Sequence, residues 1–146
     1  MARYSAGVKT GAGSTTLPLA SVYAAASVGG MLRQVTISNT TTGAVDLKLV
    51  RLTTAGTQGA GLTEAKHNPD AAAASCTAFT THTVAPTLGD DLGYRWSFGA
   101  AIGAGVVETH GNLGLVIKPG TGNGIGVIVE NGSGAAMQIF FVWDED

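Results

Sequence analysis

The feature that most limits the folds open to this chain is alternation of apolar and polar residues in short runs, each cut off by a cluster of turn formers. A helix needs apolar residues every three to four positions, whereas alternation at period two places them on one face of a strand. Val35 and Ile37 alternate with Gln34, Thr36 and Ser38; after the Asn39–Gly43 turn cluster, Val45, Leu47 and Leu49 alternate with Asp46 and Lys48. This predicts a hairpin with one buried face. At Val50 the phase slips, which a bulge or burial on both faces would produce. Leu92, Tyr94, Trp96 and Phe98 form an aromatic-weighted strand face. Three more runs follow, Leu113–Ile117, Ile125–Val129 and Met137–Trp143, separated by Pro119-Gly120 and by Asn131-Gly132-Ser133-Gly134. The Gly120–Gly126 stretch reads as a turn leading into a strand. Thr53–Asp70 has no sustained period and reads as a long surface loop suited to a contact role. Ala71–Ala74 is compatible with one turn of helix, and Ser75–Thr83 with a Thr-rich strand.

Seven to nine short strands at spacings near ten residues give an all-β fold, an antiparallel β-sandwich, with a jelly-roll-like arrangement preferred. With 146 residues the chain fits one core, so residues 17–146 are expected to form a single β-sandwich domain. Residues 1–16, with little apolar weight beyond Tyr4 and Val8, are expected to be an N-terminal arm or edge strand. No repeat of 20 to 50 residues is visible, which disfavours propellers and solenoids.

Charged residues make up 12% of the chain and its net charge is −2, so it lacks the basic footprint that phosphate neutralisation requires and nucleic acid is not an expected partner. Glycine occupies 22 of the 146 positions, about twice the usual share. Gly inside a strand costs roughly 0.5–1 kcal/mol relative to Ala, so this load implies close backbone approach between strands or subunits. Together with the low charge it points to a homo-oligomer, most simply a trimer. Cys76 is the single cysteine, which excludes an intrachain disulfide. Leu17–Leu32 is the one stretch that resembles a signal-peptide core, but Pro18, Ser21, Tyr23 and Ser27 interrupt it and no run reaches the length of a membrane span. A soluble product made in the cytoplasm is expected, without a membrane partner.

Chemistry-bearing patterns are sparse. Neither phosphate-loop spacing occurs. Glu64, His67 and Asp70 are near in sequence, yet Pro69 removes the helix that would align them on a metal. Ser133 lies in a predicted turn rather than a nucleophile elbow, and Cys76 has no charged neighbour to lower its pKa. Glu108 and His110 would share a strand face as an acid/base pair, while Asp90-Asp91 reads as a polar turn. Tyr94, Trp96 and Trp143 are candidates for a sugar-stacking platform, but each alternates in phase with core residues. The sequons at Asn39 and Asn131 read as turns. No catalytic, cofactor-binding or metal residues are assigned, and an enzyme is not expected.

The segments Asn39–Ala65 (NTTTGAVDLKLVRLTTAGTQGAGLTEA), Gly114–Gly132 (GLVIKPGTGNGIGVIVENG) and Met137–Glu145 (MQIFFVWDE) resemble the small Ala/Gly/Thr-rich virion proteins of tailed bacteriophages, especially those that decorate the capsid exterior. That resemblance implies a sandwich or jelly-roll cement protein, often trimeric, that binds the major capsid protein on the outside of the shell and reinforces it, with no catalytic residues. The alternative from another class is a phage tail or receptor-binding β-sandwich that grips a host glycan, which exposure of Trp96 or Trp143 next to polar side chains would favour. A small β-sandwich enzyme would require Glu108, His110 or Cys76 to converge in a pocket.

Overall fold

The structure is a computed structural model that describes residues 1–132 and 134–146; Ser133 and its predicted turn position lie outside the described residues. Eleven strands form two antiparallel sheets, and no helix occurs among the described residues. In chain order they are β1 (Ala2–Lys9), β2 (Ala20–Tyr23), β3 (Gly30–Asn39), β4 (Val45–Leu52), β5 (Ala65–Lys66), β6 (Thr77–Phe79), β7 (Leu88–Phe98), β8 (Gly105–Thr109), β9 (Leu115–Ile117), β10 (Gly124–Gly132) and β11 (Met137–Glu145). The first sheet runs β5-β1-β11-β3-β8, with β9 also pairing β3, and the second runs β6-β2-β10-β4-β7. The count exceeds the seven to nine expected because β5, β6 and β9 are only two or three residues long.

The chain is thus an all-β, antiparallel sandwich. Its core interleaves Leu32, Val35, Ile37, Phe141 and Trp143 of the first sheet with Leu47, Leu49, Ile125, Val127 and Trp96 of the second. Strands of the first sheet alternate as period two dictates: β3 buries Val35 and Ile37, while Gln34, Thr36 and Ser38 reach the surface in part. The second sheet behaves differently. β2 is buried at all four positions and β10 at its first six, because a second apolar cluster of Tyr23, Val50, Leu52 and Ile128, joined by Ala55, Phe79 and Leu88, covers the sheet's outer side. Parts of the long loops 53–64 and 80–87 form this cover, tied together by Thr57 N–H to Val84 O (3.2 Å) and Thr83 N–H to Thr57 O (2.9 Å). Gly126 makes room for it: a Cβ there would come within 3.0 Å of the Leu52 side chain and 3.3 Å of Pro18.

The slip at Val50 has both anticipated causes. Val50 belongs to the outer cluster, and its β7 partner strand bulges: Arg95 pairs Lys48 and Asp91 pairs Val50, leaving Leu92–Tyr94 opposite Leu49, with Gly93 at φ +81°. Residues 2–9 form β1, which pairs β11 along its whole length and β5 only at Tyr4 and Ser5. Other expectations need correction. Ala71–Ala74 is not helical, and the strand expected over Ser75–Thr83 shrinks to β6. Asp90 and Asp91 lie within β7 rather than in a turn.

Candidate interaction surface

Registers across the first sheet define what its outer side presents. One row reads Gly7, Phe140, Thr36, Val107, and the next Lys9, Gln138, Ser38, Gly105. Of these eight positions only Lys9 carries charge. No loop crosses them: Phe140 is 37% exposed and Val107 59%. A shallow depression of about 380 Å³ lies here, lined by Gly7, Lys9, Thr36, Ser38, Gln138 and Phe140 among others. Phe140 leans over Gly7, where a Cβ would come 3.0 Å from the ring, so the aromatic fills the space of the missing side chain. Beyond β3, Ile102 (70% exposed) and Leu113 (84%) occupy the turns before and after β8.

Charge gathers at one end of this face. Arg3 grips Asp144 with two bonds (Nε–Oδ1 2.7 Å, Nη2–Oδ2 3.0 Å), and Arg33 Nε donates to Oδ2 at 2.6 Å. The hydrogen bond from Arg3, supported by that from Arg33 and by both charges, outweighs burial and holds the Asp144 carboxyl below the usual range. Arg33 also donates to the carbonyls of Gly111 and Asn112, tying the turn after β8 to β3. On the opposite sheet's edge, Arg95 bridges Asp91 (2.7 Å) and Glu130 (2.8 Å).

The residues singled out as possible chemistry are scattered. Cys76 lies in the core with its thiol pushed up to about 12, by burial first and then by Glu145. Glu145 is occupied in accepting the Ser75 and Cys76 N–H groups and Trp143 Nε1 (2.8–2.9 Å), which closes that end of the core. His110 stacks edge-on to Tyr94 at 4.8 Å on the other flank, its pKa lowered by burial against a smaller pull from Glu108. Neither meets Cys76. Trp143 is fully buried and Trp96 nearly so, leaving no tryptophan platform for a sugar. His67 and Asp70 are exposed, and no group of three metal-ligating side chains converges among the described residues. Asn39 is buried, donating to Gly43 and Gly99 carbonyls, so its sequon is a turn. The turn read at Gly120 is present, closed by Asn123 N–H to Gly120 O (2.9 Å).

One pair escaped the sequence entirely. Ser21 Oγ lies 2.9 Å from His82 Nε2 beneath the cover of the second sheet. Sixty-one residues separate them, so no local pattern joins them. Ser21 is wholly buried and His82 is 2% exposed, which denies any substrate access to the hydroxyl. Burial pushes the imidazole down to about 4, opposed weakly by the Val84 backbone. The pair is a structural lock between β2 and the covering loop. No helix among the described residues is long and apolar enough to cross a membrane.

Comparison with protein-family models, with curated proteins and with solved structures gives no match.

Proposed function

We propose that this protein is a virion structural protein that decorates the outer surface of a tailed-phage capsid and stabilises the assembled shell by bridging neighbouring major capsid subunits, as an oligomer for which a trimer is the simplest form. The order β1-β11-β3-β8 over β2-β10-β4-β7 supports a jelly-roll reading of the sandwich, since sequential long strands pass from one sheet to the other except at the neighbouring pair β4 and β7. The observation that carries the proposal is the bare outer side of the first sheet. It is nearly uncharged, formed on paired strands and left open by a chain whose other sheet is covered.

Four strands at about 4.8 Å and five residues at about 3.3 Å give this face roughly 300 Å², well below the ~800 Å² per partner of a stable two-body complex. One copy alone would hold weakly. Attachment at several points of a regular lattice supplies the missing affinity through effective concentration, and a ligand of the assembled shell alone shifts assembly by mass action. The buried tryptophans favour this reading over glycan capture. With Lys9 on the face and the Arg3–Asp144–Arg33 charges at its end paired with one another, binding should depend weakly on salt. Purified protein mixed with shells lacking it should occupy them and raise their thermal rupture temperature at both about 50 and about 500 mM salt. No occupancy, or occupancy that disappears at the higher salt with no change in rupture, overturns the proposal.

A further inference from the structure

Five strands end the two sheets, and four of them are shielded: β9, which continues the β8 edge along β3, is three residues long. β5 is two residues long; β6 is lined by the 60–62 segment through Leu62 N–H to Ala78 O (2.8 Å) and Thr80 N–H to Ala60 O (3.1 Å); β7 is bulged at Gly93 and carries the Asp91–Arg95 ion pair. Short length, cover, bulges and charge are the devices by which sheets avoid edge-to-edge pairing. β8 (Gly-Val-Val-Glu-Thr), five residues long, is uncovered and unbulged, and its one charge, Glu108, is half-buried.

The ladder tells which of its backbone groups are free. His110 N–H donates to Arg33 O (2.9 Å) and Asn39 N–H to Ala104 O (2.7 Å). Antiparallel bonding alternates along a strand, so Ala104, Val106, Glu108 and His110 face β3. Gly105, Val107 and Thr109 point their N–H and C=O groups away from it, and none has a backbone partner among the described residues.

We infer that β8 pairs antiparallel with β8 of a second copy about a two-fold axis through Val107, joining the first sheets of the two molecules into one continuous sheet. This register is singled out by the sequence of the strand. Opposite residues must share a face, so the centre falls on Val106, Val107 or Glu108. Centring on Glu108 sets like charges side by side, and centring on Val106 leaves Thr109 without a partner. Centring on Val107 matches Val107 with itself and Gly105 with Thr109, which uses every free group and places Glu108 opposite an apolar Val106. It also brings the turn before β8 alongside the turn after it, so Ile102 of each copy approaches Leu113 of the other. These are the two most exposed large apolar residues beyond Met1. A contact that matches itself is two-fold; a trimer would have to use another surface. The inference does not depend on shell binding, although the joined sheet would double the open face.

Sedimentation equilibrium of the full chain from about 1 to about 200 µM should show the mass rising from 14.6 kDa towards twice that value. Val107→Pro deletes an N–H that no bond within the chain uses, and proline is tolerated at such edge positions; it should weaken association at least about tenfold while the circular dichroism stays native. If that variant misfolds, Val107→Lys decides, because it sets two ammonium groups opposite each other. Val107→Cys should give an oxidised covalent dimer, since Cα atoms of a hydrogen-bonded antiparallel pair lie about 5.5 Å apart, within disulfide reach, and Cys76 is buried. A monomer throughout, or association, as a trimer or otherwise, that is indifferent to Val107→Pro and Val107→Lys overturns the inference.

Discussion

The two sheets of this sandwich share one core and differ in what lies behind them. Behind the second sheet stand Tyr23, Val50, Leu52 and Ile128 under two long loops, with a buried Ser21–His82 hydrogen bond beside them. The first sheet turns Phe140, Thr36 and Val107 to the surface with nothing over them. A strand covered on both faces reads as a continuous apolar run, and one covered on a single face alternates. The rule holds where the cover lies: β10 is Gly-Ile-Gly-Val-Ile-Val, whereas the open start of β11 is Met-Gln-Ile-Phe-Phe with Gln138 and Phe140 outward, and β4 and β7 of the second sheet alternate. Stability is therefore invested on both sides of one sheet, while the other is left free to meet a partner.

Truncations sharpen this contrast most. Trp143→Ala should cost about 3–5 kcal/mol, through lost burial, a cavity and a Glu145 oxygen deprived of its indole donor. Ile128→Ala, on the outer side of the covered sheet, should cost about 2–5 kcal/mol, as for any sealed aliphatic. Phe140→Ala, on the outer side of the open sheet, should cost less, about 1–2 kcal/mol, since the residue keeps 37% of its surface exposed. Urea denaturation of the three variants makes the test. Equal losses for Ile128→Ala and Phe140→Ala would mean the two outer sides are alike.

The same contrast explains what could be seen in the sequence. β3, β4, β7, β9, β10 and β11 announced themselves by alternation or by apolar runs ending at Gly, Pro or Asn. β2 did not, because Ala-Ser-Val-Tyr is buried on both faces and its outward serine and tyrosine hydroxyls are satisfied by His82 and by the Thr54 carbonyl. β8 did not, because its glycine-rich approach resembles a loop and only β3 gives its alternation a meaning. The glycine load was legible as close approach but not as to where. Gly126 serves packing inside the chain, and Gly93 a positive-φ bulge. Rows such as Gly7-Phe140-Thr36-Val107 join four distant segments, so the candidate surface had no local signature at all.

A pH titration probes the cover through His82. A histidine whose folded pKa is depressed destabilises the fold when the unfolded chain takes up its proton first. The contribution of His82 is therefore whole above about 6.5, falls as pH drops from there to about 4, and is then lost. The drop should reach up to about 3 kcal/mol. His110 works in the same direction to a smaller extent, whereas Asp144 acts below about 3.8, where its Arg3 and Arg33 pairs are lost. In denaturation curves at several pH values, the Ser21→Ala/His82→Leu double variant should flatten most of the slope between pH 6.5 and 4. A slope that survives the double variant but vanishes in His110→Gln would shift the sensitivity from the covered sheet to the β7–β8 flank.

The smallest expected change in stability falls on the open face, where it carries the most information. Thr36 sits in the middle of that face, between Phe140 and Val107, with its hydroxyl accepting only from Gln34 Nε2 (3.1 Å). Thr36→Lys removes one β-branched residue and one exposed hydrogen bond, and surface changes of this sort stay within about ±0.5 kcal/mol. The lysine stem can lie along the sheet with its ammonium in water, so the isolated chain should melt as the parent does. Binding should respond very differently, because a charge placed at the centre of an apolar contact has to be desolvated without a partner. Shell occupancy should fall by about tenfold or more, while Glu64→Lys, on the covering loop side, should leave it unchanged. Loss of occupancy in both variants would assign attachment to overall charge, and retention in both would move it off the open sheet altogether.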